Sequence, residues 1–370
     1  MGVWKRSLEI MELTMNIAEV QASFWDGKRV FLTGHTGFKG SWLSIWLQTM
    51  GANVKGYALA PATTPSLFTE ANVAIGMESE IGDIRNAEQI SSSMVSFDPE
   101  VLIHMAAQPL VRLSYREPVV TYETNVMGTI NVLETARKCS NLKAIVNVTT
   151  DKCYENREWV WGYRETEPMG GHDPYSNSKG CAELVTSAYR LSFFNTSNSA
   201  ALSSARAGNV IGGGDWSDDR LIPDILKSFE RNKPVIIRNP SATRPWQHVL
   251  EPLSGYLILA QKLFSEGKMF AEGWNFGPRD EDVKTVEYIL DHMVDKWGKG
   301  ASWKLDSSPQ PHEAQLLKLD ISKATNRLKW YPKWSLKTTL DSIIEWELAR
   351  LDKNDMREFT SKQIQSYQSF

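Results

Sequence analysis

Cysteine is scarce in this chain: Cys139, Cys153 and Cys181 are the only three in 370 residues, none stands in a Cys-x-x-Cys pair, and the count is odd. That argues against a disulfide framework and points to reduced thiols in a reducing compartment. The six histidines are scattered, none four residues from another, so the helical zinc pattern is missing and no metal is expected. Long apolar runs are missing as well. No stretch approaches the ~20 residues that cross a bilayer, and Glu9, Glu12 and Glu19 interrupt the place where a signal-peptide core would lie. Nor does one sign of charge dominate: 41 basic against 44 acidic side chains leave a net charge of −3 with no basic stripe or arm for nucleic acid. A cytoplasmic protein with neither a nucleic-acid nor a membrane partner is expected. Internal repeats and low-complexity tracts are also lacking.

The chain does have length and alternation. At 370 residues it exceeds the ~250–300-residue ceiling of a single core, so a large domain with a smaller partner is expected. From Arg29 to about Ala207, β-branched runs alternate with helical stretches, the pattern of a doubly wound parallel sheet in an α/β fold. The expected strands are 30–33, 53–57, 101–104, 144–149 and 200–207, with another short one before Gly82. The expected helices are 39–50, 87–97, 118–140 and 175–195. Pro118 suits a first helical turn, where its missing N–H is harmless. After Gly208 the texture becomes rich in glycine, proline and tryptophan, as in a smaller α/β domain. The expected partition is a flexible extension at 1–24, a dinucleotide-binding domain at 25–208, a second domain at 209–350 and a tail at 351–370. Within it, 272–277 may rejoin the first sheet. For residues 1–24 the alternative is an upstream start, with Met11 or Met15 as the true beginning.

Strand 30–33 runs directly into Gly34-His-Thr-Gly-Phe-Lys-Gly40 and then a helix. Bare backbone there lets a pyrophosphate rest on a helix N-terminus, where N–H groups and the dipole favour negative charge. A Rossmann-like dinucleotide site follows from that context more than from the glycines alone. The acid that usually takes a ribose 2′-hydroxyl about 20 residues on is missing, and no arginine cluster replaces it, so the spacing leaves NAD and NADP open. Asp83 is placed either to accept from an adenine amine or to cap a helix. Ala106-Ala107-Gln108 should pass close to the cofactor ribose. The expected cofactor contacts are Gly34, Thr36, Gly37, Phe38, Lys39, Gly40, Asp83, Ile84, Ala106, Ala107, Gln108, Thr149, Tyr175 and Lys179.

Tyr175 and Lys179, four apart, share a helix face, and an ammonium beside the phenol should lower its pKa towards use as a proton acceptor. Thr150-Asp151-Lys152 at an expected strand end adds a hydroxyl, an acid and a potential base. Simple hydride transfer would not need all three.

With these residues in view the chain resembles the extended short-chain dehydrogenase/reductase family, in its nucleotide-sugar 4,6-dehydratase branch, and most closely the members acting on CDP-glucose. The likeness spans about Trp25 to Trp346. It rests on Gly34-His-Thr-Gly-Phe-Lys-Gly40, Gly82-Asp-Ile-Arg85, His104-Met-Ala-Ala-Gln-Pro-Leu-Val111, Asn125-Val-Met-Gly-Thr129, Thr149-Thr-Asp-Lys-Cys-Tyr154, Tyr175-Ser-Asn-Ser-Lys179 and Arg206-Ala-Gly-Asn-Val-Ile-Gly-Gly-Gly-Asp-Trp216. It implies conversion of CDP-D-glucose to CDP-4-dehydro-6-deoxy-D-glucose with a retained NAD, for the deoxysugars of bacterial surface polysaccharide such as lipopolysaccharide O-antigen.

The resemblance also implies roles. Tyr175, helped by Lys179 and Thr150, accepts the 4-hydroxyl proton as hydride leaves C4. Asp151 protonates the departing 6-hydroxyl, for which its carboxyl must hold a proton. Lys152 stands where related dTDP-sugar enzymes carry a glutamate base, and it acts either as the C5 base or as an electrostatic partner of the enolate. Asn209, Arg220, Arg244, His248 and Gln108 are the expected substrate contacts. For Arg220 a surface salt bridge, and for His248 a place in the core, are the competing readings. Asn125 is read as a backbone-bonding residue that holds the site together. Trp159 and Trp161 either cover the sugar or meet another subunit. The 118–140 and Tyr175 helices either pair in a homodimer, with a dimer of dimers also open, or are buried core. The rival functions are a 4-epimerase on the same scaffold, which would not need Asp151-Lys152, and a non-catalytic dinucleotide sensor.

Overall fold

The computed structural model describes residues 17–298, 300–306 and 317–370. Strand β1 (Arg29–Thr33) is followed by helix α1 (Phe38–Thr49), β2 (Asn53–Ala58), β3 (Glu78–Ile81), α2 (Ala87–Phe97) and β4 (Val101–His104). A broken helix then ends in α3 (Gly128–Ala136), and β5 (Ala144–Val148), α4 (Pro174–Ser192) and β6 (Ala201–Ala207) complete the first run. The rest comprises α5 (Leu221–Glu230), α6 (Leu250–Glu266), β7 (Gly273–Phe276), α7 (Val286–Trp297), α8 (Leu336–Leu351) and α9 (Met356–Ser369), with several two- and three-residue strands between them.

The main sheet has seven strands in the order β7-β6-β5-β4-β1-β2-β3, every neighbouring pair parallel. Its central strands read as continuous apolar runs because both faces are covered. In β1, Val30 and Leu32 enter the core beneath α1 and α6, and Phe31 between them enters the core beneath α2 and α3. Register places Val30 opposite both Val54 and Val101, so the C-terminal ends of β1 and β4 lie level. Thr33 fastens them there: its Oγ1 lies 2.6 Å from His104 Nδ1 and accepts from the N–H groups of Met105 and Ala106.

The structure departs from the expected elements and partition in four places. The helix expected over 118–140 is Pro118–Tyr122, a π-turn at Glu123–Met127, and α3, which ends at Ala136. As expected, 272–277 rejoins the first sheet, β7 pairing with β6 at its edge, but the stretch 209–350 departs further because α6 also lies in the first core. The second core is built by α5, α7 and α8, through Ile225, Phe229, Ile289, Met293, Leu340 and Ile344. The segment expected as a tail is helix α9, with Met356, Thr360, Gln363, Ile364 and Tyr367 buried. Of the expected N-terminal extension, 1–16 lie outside the described residues. Residues 17–24 pack rather than extend: Ala18 N–H donates to Lys329 O, and Phe24 meets Phe264 edge-on at 5.2 Å.

Helix α9 covers α1. Tyr367 packs edge-on against Trp46 at 5.8 Å, and Arg357 donates to Gln48 Oε1 at 2.9 Å. Its anchor is Glu251 in α6, which accepts from Tyr367 Oη (2.7 Å) and from the main-chain N–H groups of Lys333 and Trp334. Burial pushes the Glu251 carboxyl up to about 7 despite those donors. Removing one donor from a buried acceptor costs about 1–3 kcal/mol. Tyr367→Phe should therefore lower the urea midpoint by that equivalent with an unchanged slope. A midpoint equal to wild type would show that Glu251 does not anchor α9.

Candidate active site

The loop from β1 to α1 is shaped by contacts that only hydrogen side chains permit. A Cβ on Gly34, whose φ is +80°, would lie 2.8 Å from Ala106 N, and one on Gly40 would lie 2.0 Å from Gly34 O. Helix α1 starts at Gly37 with no side-chain cap, so its first-turn N–H groups remain for an anion. These features fit a dinucleotide pyrophosphate. Thr36 closes the loop by donating to Leu59 O at 2.7 Å. Asp83 does not cap a helix: it accepts from Arg85 N and the Arg85 guanidinium, which holds its carboxyl below the usual range, and Asn86 caps α2 instead. Ile84 is buried against Gly128 at the start of α3.

The π-turn in the helix before α3 aims Asn125 inward, a common use of such bulges. Its Oδ1 accepts from Gln108 N at 2.8 Å, and its Nδ2 donates to Gln108 O (3.1 Å) and Ser178 Oγ (2.9 Å). Asn125 thus holds the β4 loop, with Ala106, Ala107 and Gln108, to the helix bearing Tyr175 and Lys179. The Gln108 side chain is spent on this loop, bonding Leu110 N, Leu110 O and Thr121 Oγ1.

At the end of β5, Thr149 donates to Glu183 Oε1, and Thr150 donates to Asp151 Oδ1 at 2.9 Å. Asp151 is buried, whereas the Lys152 side chain is about a third exposed (37%), its Nζ 4.0 Å from Asp151 Oδ1. Asp173 caps α4 by accepting from Ser176 N, and Pro174 begins the helix. That start places Tyr175 and Lys179 in the interior. Burial is the largest influence on both. It pushes the Tyr175 phenol up to about 12, against the pull of a Thr150 hydrogen bond and of Arg220. It draws Lys179 down to about 8, against Glu183 and Cys153. The expectation that Lys179 lowers the Tyr175 pKa is therefore corrected: in the chain alone, desolvation wins and Lys179 is not among the groups acting on the phenol.

Two further groups complete the pocket. Lys39 is half-buried, and desolvation, with Lys179 and Arg220 nearby, brings it to about 7. It donates to Tyr256 Oη at 3.3 Å. Tyr256, on α6, is near enough to Tyr175 and Asp151 for their charges to act on it, and burial raises its phenol far above the usual range. Nothing in the surrounding apolar helix marks Tyr256 in the sequence. Arg220 reaches the same pocket and pairs with Asp215 at 2.8 Å.

The substrate contacts expected in the second domain divide. Asn209 accepts from Gln247 N through its main-chain oxygen, and Arg244 donates to Thr243 O beside the Lys284–Thr285 strand. His248 belongs to the core, which corrects its expected substrate role. It is fully buried, its Nδ1 accepts from Leu250 N, and its ring packs against Trp42 and Trp334.

A glycine turn serving a buried threonine, acid, tyrosine and lysine on a doubly wound sheet defines an extended short-chain dehydrogenase/reductase. Within that class the chain belongs to the GDP-mannose 4,6 dehydratase family, whose model matches residues 31–343. It is 62% identical over 354 residues to a CDP-glucose 4,6-dehydratase of Salmonella typhimurium, covering 95% of this chain and 99% of the relative. A dTDP-glucose 4,6-dehydratase of Streptomyces venezuelae, solved with NAD bound, superposes with a TM-score of 0.74 at 20% identity, covering 88% of this chain and 99% of that one. The UDP-glucose 4-epimerase of Thermotoga maritima gives 0.74 at 23% identity, covering 87% and 99%.

Burial lowers the His248 pKa to about 3. The unfolded chain therefore binds the extra proton below about pH 6.5, and stability is lost as the pH falls. His248→Leu should leave KM unchanged and destabilise the fold at pH 7.5. It should also recover about 2 kcal/mol of that deficit relative to wild type by pH 5. A raised KM with no change in acid sensitivity would return His248 to the substrate site.

Proposed function

We propose that this protein is an NAD-dependent CDP-glucose 4,6-dehydratase, converting CDP-D-glucose to CDP-4-dehydro-6-deoxy-D-glucose and water. The observation that carries the reading is the meeting of Thr150, Asp151, Tyr175 and Lys179 in one buried pocket, with Lys152 beside Asp151. The 62% identity to a CDP-glucose enzyme supports the choice of base and sugar.

NAD supplies an acceptor for hydride from sugar C4 and returns that hydride to C6. Gly34, Gly37 and Gly40 with the α1 N-terminus would hold its pyrophosphate, and Lys179 its nicotinamide ribose. Tyr175 receives the 4-hydroxyl proton through its contact with Thr150. The Thr150 hydrogen bond and the positive charge of Arg220 favour the phenolate that burial disfavours. Once C4 is a ketone, the C5 hydrogen is acidic and passes as a proton to a base, for which Lys152 is the candidate, while Asp151 donates a proton to the departing 6-hydroxyl, which leaves as water. Lys152 faces the place where negative charge gathers on C5 and O4. Arg220 and Arg244 would serve the substrate diphosphate, planar forks matching its oxygens.

An apolar face on Pro118–Met127 and α4 supports a homodimer. Val119 and Met127 are exposed there around a groove of about 530 Å³ lined also by Tyr122, Val126 and Cys181, and Leu184 and Leu191 are exposed on α4. No described helix is long and apolar enough to cross a membrane, in keeping with a cytoplasmic enzyme feeding deoxysugar assembly, including that of lipopolysaccharide O-antigen.

Purified protein with catalytic NAD should form the alkali-sensitive 4-keto-6-deoxy chromophore from CDP-glucose and not from dTDP-, GDP- or UDP-sugars, without accumulating NADH. A 4-epimer as product would hand the site to the epimerase reading. Tyr175→Phe should lower kcat at least about 100-fold while cofactor binding persists. Lys152→Met should abolish C5 exchange with deuterated solvent if Lys152 is the base, and exchange at the normal rate would leave it only an electrostatic role.

A further inference from the structure

The catalytic groups arrive on separate elements: Thr150 and Asp151 follow β5, whereas Tyr175 and Lys179 ride on α4. One buried side chain reaches both elements and the neighbouring strand. Glu183 Oε1 accepts from Thr149, the residue before Thr150, and Oε2 accepts from Ser204 Oγ (2.6 Å) and from the Arg206 guanidinium (2.8 Å) on β6. Tyr175, Lys179 and Glu183 are spaced by fours, so one face of α4 carries proton acceptor, ammonium and carboxylate in a row. We propose that Glu183 is a positioning residue for the reaction, registering the Tyr175–Lys179 face of α4 against the strand end that bears Thr150. This rests on the dehydratase reading above.

Hydrogen bonding alone does not exhaust its role. The Glu183 carboxyl is fully buried; burial raises its pKa, but Arg206, Ser204 and Thr149 together hold it below the usual range, so it is anionic at neutral pH. That charge lies one helical turn from the Lys179 ammonium, which faces Cys153 from the turn after β5, Lys39 from α1 and His104 from β4. His104 is neutral and Lys39 is like-charged, so Glu183 is the anion that keeps Lys179 protonated against its desolvation. Arg206 does not figure among the groups acting on Lys179. The pair therefore presents its negative end to the catalytic lysine.

The test is the pH profile of kcat/KM for CDP-glucose with saturating NAD, which reports groups of the substrate-free enzyme. Wild type should lose activity as the pH rises through Lys179 near 8, and Glu183→Gln should move that limb down by about one unit. Glu183→Asp, which keeps the charge, should restore most of the shift. Because Glu183→Gln strands the Arg206 charge in the interior, a double variant Glu183→Gln/Arg206→Gln, which removes both buried charges, repeats the measurement if the single one does not fold. A folded variant whose limb stays within about 0.2 unit of wild type, with kcat lowered evenly at every pH, overturns the proposal. A wild type that forms no 4-keto-6-deoxy product from CDP-glucose overturns the dehydratase reading instead, so the two failures are distinct.

Discussion

The interior depends on the placement of one guanidinium. Arg206 leaves β6 and donates to Glu183 on α4, to Tyr154 Oη at 2.6 Å and to Glu165 O at 3.1 Å, with its plane 5.1 Å from the Tyr154 ring. Tyr154 Oη donates in turn to Asn275 Oδ1 on β7, and Asn275 Nδ2 donates to Tyr163 O and Asp320 O. Strand, helix, insertion and edge strand are thereby tied through a single buried charge. Such a pair adds little net stability over an apolar substitute, but breaking it from one side is costly, so its value lies in specificity of arrangement. Gly273 shows how tightly the space is filled: a Cβ there would lie 2.5 Å from Arg206 Nη2.

Burial sets the chemistry of the pocket as well as its shape. Lys39, Lys179 and Arg220 bring three basic groups to an enclosed place where Asp151 and Asp215 are the facing acids. An interior like this is poorly satisfied alone and suited to phosphates and to a developing phenolate or enolate. Desolvation takes Tyr175 and Lys179 in opposite directions, to about 12 and about 8, so the two pKa values still stand on the wrong sides for easy proton transfer. A site tuned by its ligands, rather than by its lysine alone, reconciles those values with the chemistry.

Much of this was legible in the sequence wherever local signals and tertiary context agree. The β1 loop and α1 were readable because strand, glycines and helix follow in order. Tyr175 and Lys179 were readable because four-residue spacing on a helix leaves no choice of face. Asn125 was readable as a backbone-bonding residue, but the π-turn that aims it was not, since an i+5 turn has no period of its own in so short a stretch. Helix α9 was missed because its buried positions are Thr360, Gln363 and Tyr367 as much as Met356 and Ile364, so it lacks an apolar stripe. His248 misled because a polar residue near an arginine loop reads the same whether its ring faces a ligand or two tryptophans.

Helix α9 also bears on how the molecule is made. Its partner α1 carries the loop that would cradle the cofactor, and Trp46 of α1 waits for Tyr367 to cover it. The two are separated by roughly 300 residues, which a ribosome adding ~5–20 residues per second takes on the order of 15–60 s to supply. During that interval the first βα unit emerges with one side of its helix bare, an exposed tryptophan surface that a chaperone would find before a nucleotide does. Damage confined to α9 would thus be felt first as a folding defect around α1, far from it in sequence.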